Sequence, residues 1–119
     1  MHAQLESLLE IQDLKTQRRE LETATHERQF EEEVFNISID DAVSQLDQKI
    51  TEMEESLAPS VRNRYRRLAD RHWRVVAPVI GGTCYGCFVS IPTALASDAE
   101  RNEELHSCDS CGRFLYLTD

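Results

Sequence analysis

The stretch TCYGCFVSIPTALASDAERNEELHSCDSCGRFLYL, residues 83–117, contains every cysteine of the chain. The cysteines form two pairs, Cys84 with Cys87 and Cys108 with Cys111, and twenty residues separate the pairs. This C-x2-C-x20-C-x2-C pattern is the spacing of a four-thiolate zinc site. Two residues between cysteines let one tight turn direct both sulfurs and its N–H groups at a single ion. We therefore predict one structural Zn²⁺ per chain, bound by these four side chains.

The small size of this region supports a metal. Residues 81–117 are fewer than the ~40 below which a domain rarely folds without a cross-link, whereas a structural zinc contributes about 10 kcal/mol or more. Gly86 and Gly112 are expected to supply the backbone freedom of the two turns. The segments FVSI and RFLYL are predicted to be strands, and PTALASD a short helix, within a small β zinc ribbon over residues 76–119.

Other interpretations of the cysteines are weaker. A thioredoxin-like redox pair would need a βαβ context, which the sequence lacks. Iron in a rubredoxin-like site would use the same ligands, so zinc and iron both stay open at this point. His106 lies two residues before Cys108, and with four cysteines available it is expected to be a strand residue rather than a ligand.

The N-terminal segment has neither targeting nor membrane character. The stretch MHAQLESLLEIQDL has no basic region, and Glu6 and Glu10 interrupt its apolar residues, so it does not predict a signal peptide. No run approaches the ~18 apolar residues of a membrane span. We expect a cytoplasmic protein, in which the reducing environment disfavours disulfides and makes metal the leading role for the thiols.

Residues 1–58 predict long helices, because they contain no glycine or proline and are rich in Glu, Gln, Arg and Leu. The second half of this segment has apolar residues spaced 4-3-4-3-4, the heptad pattern of a coiled coil. These residues are Ile39, Val43, Leu46, Ile50, Met53 and Leu57. The phase of this pattern fails near residues 30–37, which favours two helices over one.

We therefore predict an antiparallel helical coiled-coil hairpin over residues 1–75, with its tip at about 35–41. Ser38 and Asp41 resemble a capping box at the start of a second helix over roughly 40–72. Pro59 would either begin a fresh helix or kink a long one. One uninterrupted helix that dimerises with another chain is the alternative to the hairpin. The predicted fold class is α+β, mainly α.

Charge is unevenly distributed along the chain. The net charge is −9, which argues against non-specific coating of nucleic acid, yet residues 58–80 carry +5. On a helix, four arginines would share one face as a phosphate-binding or partner-binding stripe. These are Arg64, Arg67, Arg71 and Arg74. The alternative is neutralisation within the hairpin by Glu6, Glu10 and Asp13, and Trp73 is expected to be buried.

Three segments of the sequence resemble those of a known bacterial family, formerly a domain of unknown function. In that family a long helical hairpin carries a C-terminal four-cysteine zinc ribbon. The three segments are VVAPVIGGTCYGCFVSIP (75–92), NEELHSCDSC (102–111) and CGRFLY (111–116). The resemblance covers about half of the chain, and the hairpin here looks shortened. It implies a non-enzymatic adapter whose partner is a sigma factor, a flagellar or type III secretion component, or RNA.

A second resemblance is to transcription factors of the DksA/TraR type, which insert an acidic coiled-coil tip into the secondary channel of RNA polymerase. Asp40 and Asp41 would form that tip here, with carboxylates suited to magnesium. The simpler interpretation is that acids favour the first turn of a helix. An enzyme is not expected, because four thiolates leave no open position on the metal and no other catalytic constellation is apparent.

Overall fold

The computed structural model describes residues 1–27, 33–96 and 102–118. Its elements are α1 (Ala3–Glu27), α2 (Glu33–Ser56), α3 (Pro59–Ala69), β1 (Val76–Ile80), β2 (Thr83–Cys84), α4 (Thr93–Ala96), β3 (His106–Ser107) and β4 (Phe114–Leu117). Helices precede a small sheet, which confirms the α+β, mainly α class. The chain forms two compact units, residues 10–56 and residues 1–9 with 57–119. No described helix combines the length and apolar content that crossing a bilayer requires.

Within residues 10–56, α1 and α2 pack as an antiparallel pair. Arg18 contacts Asp47, and Lys15 Nζ lies 3.8 Å from Glu54 Oε2. The residue numbers of the partners on α2 therefore decrease as those on α1 increase, which is the pattern of an antiparallel hairpin. The hydrogen bond to Asp47 raises the pKa of Arg18. Because exposed ion pairs contribute little to stability, these contacts act mainly on register, and the intramolecular hairpin is confirmed over the single-helix alternative.

The predicted heptad pattern is visible in the burial of α2. Ile39 and Ile50 are buried, Val43, Leu46 and Met53 are half-buried, and most residues between them are exposed. On α1, Ile11 is fully buried. The 4-3 spacing therefore identifies the side of α2 that is removed from water.

The predicted tip is displaced in the structure. Because α2 begins at Glu33, residues 35–41 lie in its first turns, and Ser38 is a helical residue rather than a cap. Asp40 and Asp41 are exposed and lie about 10 Å along the helix from Glu33. A local cap is worth only about 1 kcal/mol, too little to stop a helix where no glycine or proline interrupts it. The residues that connect α1 to α2 lie outside those described.

Pro59 begins a new helix, the first of the two alternatives considered above. It occupies the first turn of α3, where its missing N–H costs no hydrogen bond. The N–H of Ala58 immediately before it donates to Gln4 Oε1 at 2.8 Å. The helix buries Tyr65 and Leu68 and ends at Ala69 rather than near residue 72.

The C-terminal sheet has the strand order β2-β1-β4-β3. β1 and β2 form an antiparallel hairpin across Gly81 and Gly82, whose φ angles are +58° and +76°; positive φ at both positions is typical of tight two-residue hairpins. β1 runs parallel to β4, with Val76 opposite Phe114 and Val79 opposite Leu117. β3 pairs antiparallel with β4, so His106 is a strand residue, as predicted.

Two strand expectations are corrected by this sheet. Val76–Ile80 form the paired strand β1, where no strand was predicted. Residues 88–91 were predicted to be a strand, but this segment contributes only an isolated bridge between Thr83 and Ser90, because Phe88 has a left-handed φ of +63°. The predicted strand at RFLYL and the short helix at PTALASD are confirmed as β4 and α4.

Alternation along β1 and β4 builds the core of the sheet. Side chains on successive residues of a strand point to opposite faces, and one face joins the cysteines in a single buried cluster. The cluster contains Ala77, Val79, Cys84, Ile91, Cys108, Leu115 and Leu117. The sheet thus supplies the apolar floor under the four sulfurs.

Asn102 secures the end of β4 in a way that no sequence pattern indicated. Its buried amide donates to the carbonyl of Leu117 at 2.9 Å and accepts from the N–H of Leu117 at 2.8 Å. The backbone carbonyl of Asn102 accepts a hydrogen bond from the N–H of His2 at 2.6 Å. Both hydrogen-bonding ends of this buried amide are therefore satisfied.

Candidate metal centre

The four cysteine sulfurs converge on one point. Cys84 Sγ lies 3.9 Å from Cys111 Sγ, and Cys87 Sγ lies 3.6 Å from Cys108 Sγ. All four sulfurs lie within 4.8 Å of one another. A zinc–sulfur distance of about 2.3 Å places the corners of a tetrahedron about 3.8 Å apart. The donor set therefore fits one tetrahedral Zn²⁺, and the two predicted pairs are brought together as expected.

Each cysteine pair sits on the same backbone turn. We call residues 84–89 the first knuckle and residues 108–113 the second knuckle. In the first, the N–H of Cys84 donates to the backbone carbonyl of Val89 at 3.0 Å, and the N–H of Phe88 donates to the backbone carbonyl of Cys84 at 2.7 Å. In the second, the N–H of Cys108 donates to the backbone carbonyl of Arg113 at 2.9 Å, and the N–H of Gly112 donates to the backbone carbonyl of Cys108 at 2.8 Å. The hydrogen bonds join corresponding positions.

The residue after the second cysteine of each knuckle has a left-handed backbone. Gly112 has φ +78° and Phe88 has φ +63°. Glycine adopts this conformation freely, whereas a residue with a side chain is strained there by about 1–2 kcal/mol. The expectation for Gly112 is met. The corresponding expectation for Gly86 is wrong, because the left-handed position of the first knuckle is Phe88.

Gly86 serves a different purpose, which is close approach of a side chain. A Cβ at this position would lie 2.6 Å from Arg113 Nη1 and 2.9 Å from Arg113 Cδ. Arg113 is held in place because its Nε donates to the carbonyl of Arg74 at 3.0 Å and its Nη2 contacts His72 Nδ1 at 2.9 Å. The second knuckle thus reaches across the first through one arginine. Burial, then the charges of Arg113 and Arg71, lower the pKa of His72.

Burial divides the cysteines within each knuckle. Without a metal, burial raises the pKa of Cys84 to about 11, and burial also raises that of Cys108. Burial acts upward on Cys87 too, but hydrogen bonds from Val89, Cys108 and Ser110 outweigh it and lower its pKa to about 7. A bound Zn²⁺ needs thiolates, so its binding displaces protons from the buried cysteines at neutral pH.

The site is closed chemically. Four thiolates complete the tetrahedral shell and leave no position for water or a substrate. Cys84 and Cys108 are also buried in the sheet core. The metal centre therefore has the character of a structural cross-link.

The four arginines predicted as one stripe are divided between two places. Arg64, Arg67 and Arg71 line a cavity of about 350 Å³ together with Leu68, Asp70, His72, Cys111 and Gly112. The guanidinium of Arg64 lies 5.2 Å from the centroid of the Phe114 ring, within cation–π range. Arg74 lines a different groove, because α3 ends at Ala69 and the helical face does not continue.

Of the three acids expected to neutralise these arginines, Glu6 is the one in the same compact unit, and it does not neutralise them. Among the side chains that the structure describes, Glu6 forms no ion pair with Arg64, Arg67 or Arg71. The expectation of a buried Trp73 is wrong, since 49% of its surface is exposed. Val75 and Val76, which follow Trp73 and Arg74 in the chain, are buried instead.

A group of exposed apolar side chains at the first knuckle was missed at the level of sequence. Tyr85 is 48% exposed and Phe88 is 71% exposed, with their ring centroids 5.5 Å apart. Val89 is also exposed. The available signal was their position: Tyr85 lies between the two ligands of a tight turn, and Phe88 and Val89 follow the second ligand, where the metal requires no apolar side chain.

Comparison with known proteins agrees with this geometry. Residues 83–115 match the family model of the C4-type zinc ribbon domain. No curated protein sequence is significantly similar to the chain. Among solved structures, CT398 from Chlamydia trachomatis has a TM-score of 0.53 and 26% identity over 66% of this chain and 34% of its own.

HP0958 from Helicobacter pylori is a second similar structure, with a TM-score of 0.60 and 23% identity over 88% of this chain and 45% of its own. The chain thus spans less than half the length of either protein, and the likeness to HP0958 is one of fold. The converging sulfurs and the family match lead to the same conclusion. Residues 83–115 are a C4-type zinc ribbon domain with one structural zinc, and they follow an N-terminal helical region.

Proposed function

We propose that the chain is a non-enzymatic, zinc-stabilised adapter of the bacterial cytoplasm that binds a protein partner. The observation that carries this proposal is the combination, in one small domain, of a closed four-thiolate site and exposed aromatic side chains on one of its two knuckles. A closed site provides no activated water, so the metal's contribution is to hold surfaces in place.

The distribution of apolar side chains supports a protein partner. Trp73, Tyr85 and Phe88 are large, exposed and located in or next to the ribbon. Aromatic residues are enriched at the centres of protein interfaces, where burial of their rings stabilises a complex. A cytoplasmic location is consistent with four thiols kept reduced for a metal. The candidate partners are those that the sequence resemblance implies: a sigma factor, RNA polymerase or a secretion component.

The test is recovery of the partner with the full chain in its native host. Tagged protein would be cross-linked in vivo and purified, and the bound proteins identified by mass spectrometry. We expect one protein to be recovered in near-stoichiometric amount with the wild type and lost with Cys108→Ser/Cys111→Ser. Absence of any protein above the level of an untagged control would contradict the adapter role.

Nucleic acid is a second candidate partner, favoured by the cavity that Arg64, Arg67 and Arg71 line. Three guanidinium groups around one opening are suited to phosphate oxygens. Arg67→Glu/Arg71→Glu should then abolish a salt-sensitive shift of labelled single-stranded RNA in a native gel. Arg66→Glu is the control, because this exposed arginine of α3 does not line the cavity. No shift at low salt with the wild type would exclude this candidate.

A further inference from the structure

We infer that the outer side of the first knuckle binds an acidic segment of a protein partner through a bulky apolar side chain of that segment. We call this the knuckle surface: Trp73, Arg74, Tyr85, Phe88 and Arg113. The inference rests on the proposed adapter function and assigns that function a surface and a partner chemistry.

Phe88 is the first observation behind this assignment. It combines a left-handed backbone with 71% exposure, whereas the equivalent position of the second knuckle is Gly112. A bulky residue in this conformation is a genuine outlier, and such outliers concentrate at functional sites. Because most of the ring faces solvent, burial within the chain offsets little of the strain. A contact made outside the chain would explain why phenylalanine stands where glycine fits best.

The neighbouring rings extend Phe88 into a surface. Tyr85 and Phe88 are tilted at 52° with centroids 5.5 Å apart, a favourable aromatic arrangement. Tyr85 and Trp73 line the same groove. The second knuckle has Asp109 and Gly112 at the positions of Tyr85 and Phe88. The apolar side chains are therefore specific to one knuckle and are not a requirement of the turn.

The groove beside these rings favours an acidic occupant. It has a volume of about 400 Å³ and is lined by Trp73, Arg74, Ala77, Pro78, Tyr85, Gly86 and Arg113. Two of these residues are arginines and none is acidic. Arg113 is fixed by hydrogen bonds to Arg74 and His72, so little side-chain freedom would be lost when it pairs with a carboxylate.

Two features favour a protein segment over a nucleic acid at this surface. The aliphatic side chain of exposed Val89 beside Phe88 offers no ring for stacking on bases. The net charge of −9 opposes a long polyanion more than a short segment with one or two carboxylates. The geometry points to an occupant with one apolar anchor flanked by Asp or Glu.

The experiment uses a displayed library of 15-residue peptides against the full-length, zinc-loaded chain. Enriched peptides should share a bulky apolar residue flanked by Asp or Glu. Phe88→Gly should weaken their binding at least tenfold in fluorescence polarisation, and Arg74→Glu should weaken it by a similar factor that diminishes as salt is added. Asp109→Ala, the matched variant of the second knuckle, should bind as the wild type does. Zinc content and circular dichroism verify that each variant is folded.

Several outcomes would overturn the inference. One is the absence of enriched peptides, and another is equal binding of those peptides by Phe88→Gly. A 12-nucleotide poly(U) probe that binds the wild type and is lost with Phe88→Gly would make the occupant a nucleic acid. Self-association in sedimentation that Phe88→Gly abolishes would make it a second copy of the chain. A partner that is recovered equally with Phe88→Gly in the host would refute this surface and leave the adapter function intact.

Discussion

The two knuckles have one backbone and different side chains. Each closes with the same pair of hydrogen bonds, buries its first cysteine and places its fifth residue in the left-handed region. The first knuckle then presents Tyr85, Phe88 and Val89, where the second has Asp109, Gly112 and Arg113. The comparison teaches that zinc binding needs only the cysteines and the turn, which leaves the remaining positions free for other roles.

The continuation of the chain also separates the knuckles. The second leads directly into β4, whose Phe114, Leu115 and Leu117 are buried. The first knuckle leads into residues that belong to none of the four strands, and then into α4. The second knuckle therefore serves the fold and contributes only Arg113 to the knuckle surface, while the first has apolar side chains available for recognition. The predictions below test this division.

The largest effect is expected from loss of either cysteine pair. Cys84→Ser/Cys87→Ser and Cys108→Ser/Cys111→Ser should each abolish zinc binding and unfold the sheet, because about 10 kcal/mol of metal binding exceeds what a small core supplies. Hydrogen exchange of β1 and β4 measures this, while α1 and α2 should stay helical in both variants. Retention of stoichiometric zinc by one variant would break the symmetry between the knuckles.

The next effect is the pH dependence of zinc affinity. Burial raises the pKa of Cys84 and of Cys108, so both are protonated near neutral pH without metal and each releases a proton on binding. Affinity should therefore rise with pH, by about 100-fold or more per unit between pH 6 and 7. Competition titration with a chromophoric chelator measures the slope, and a change below about tenfold per unit would contradict it.

A smaller effect is expected where the knuckles touch. Gly86→Ala should displace Arg113 and its two hydrogen bonds, lowering the free energy of unfolding by about 2 kcal/mol. Ser110→Ala is the matched change at the equivalent, exposed position; it removes one hydrogen bond, to the Cys87 sulfur, and should cost less. Thermal unfolding with zinc in excess compares them. Equal stability of the two variants would show that Arg113 does not bridge the knuckles.

The smallest effect concerns the left-handed position. Gly112→Ala should destabilise the ribbon by about 1 kcal/mol through backbone strain alone, since a Cβ there meets Leu68 Cδ2 only at an ordinary 3.6 Å. Phe88→Gly removes strain at the equivalent position, so its melting temperature should equal or exceed that of the wild type. A clear loss of stability in Phe88→Gly would mean that the ring supports the fold.

Sequence patterns predicted what depends on local spacing. The ligand set followed from two matched C-x-x-C pairs, and the hairpin followed from the loss of the 4-3 phase near residues 30–37. The start of α3 was one of two alternatives left open at Pro59. Tertiary partners decided the rest. β1 was overlooked because Pro78 and the glycine pair obscured its β-branched residues, whereas pairing with β4 fixes it as a strand.

Three further features were not predicted from the sequence. The predicted tip at 35–41 is wrong because a weak capping signal does not interrupt a helix that lacks glycine and proline. The strain at Phe88 is visible only by comparison with Gly112. Asn102 acts through the backbone of Leu117, fifteen residues away.

The convergence of four sulfurs on one ion is the claim on which both knuckles depend. X-ray absorption at the zinc edge, measured on the purified full chain, tests it most directly. We predict one zinc per chain with about four sulfur neighbours at about 2.3 Å. A first shell that contains nitrogen or oxygen, or a fully folded sheet in protein free of zinc, would contradict it.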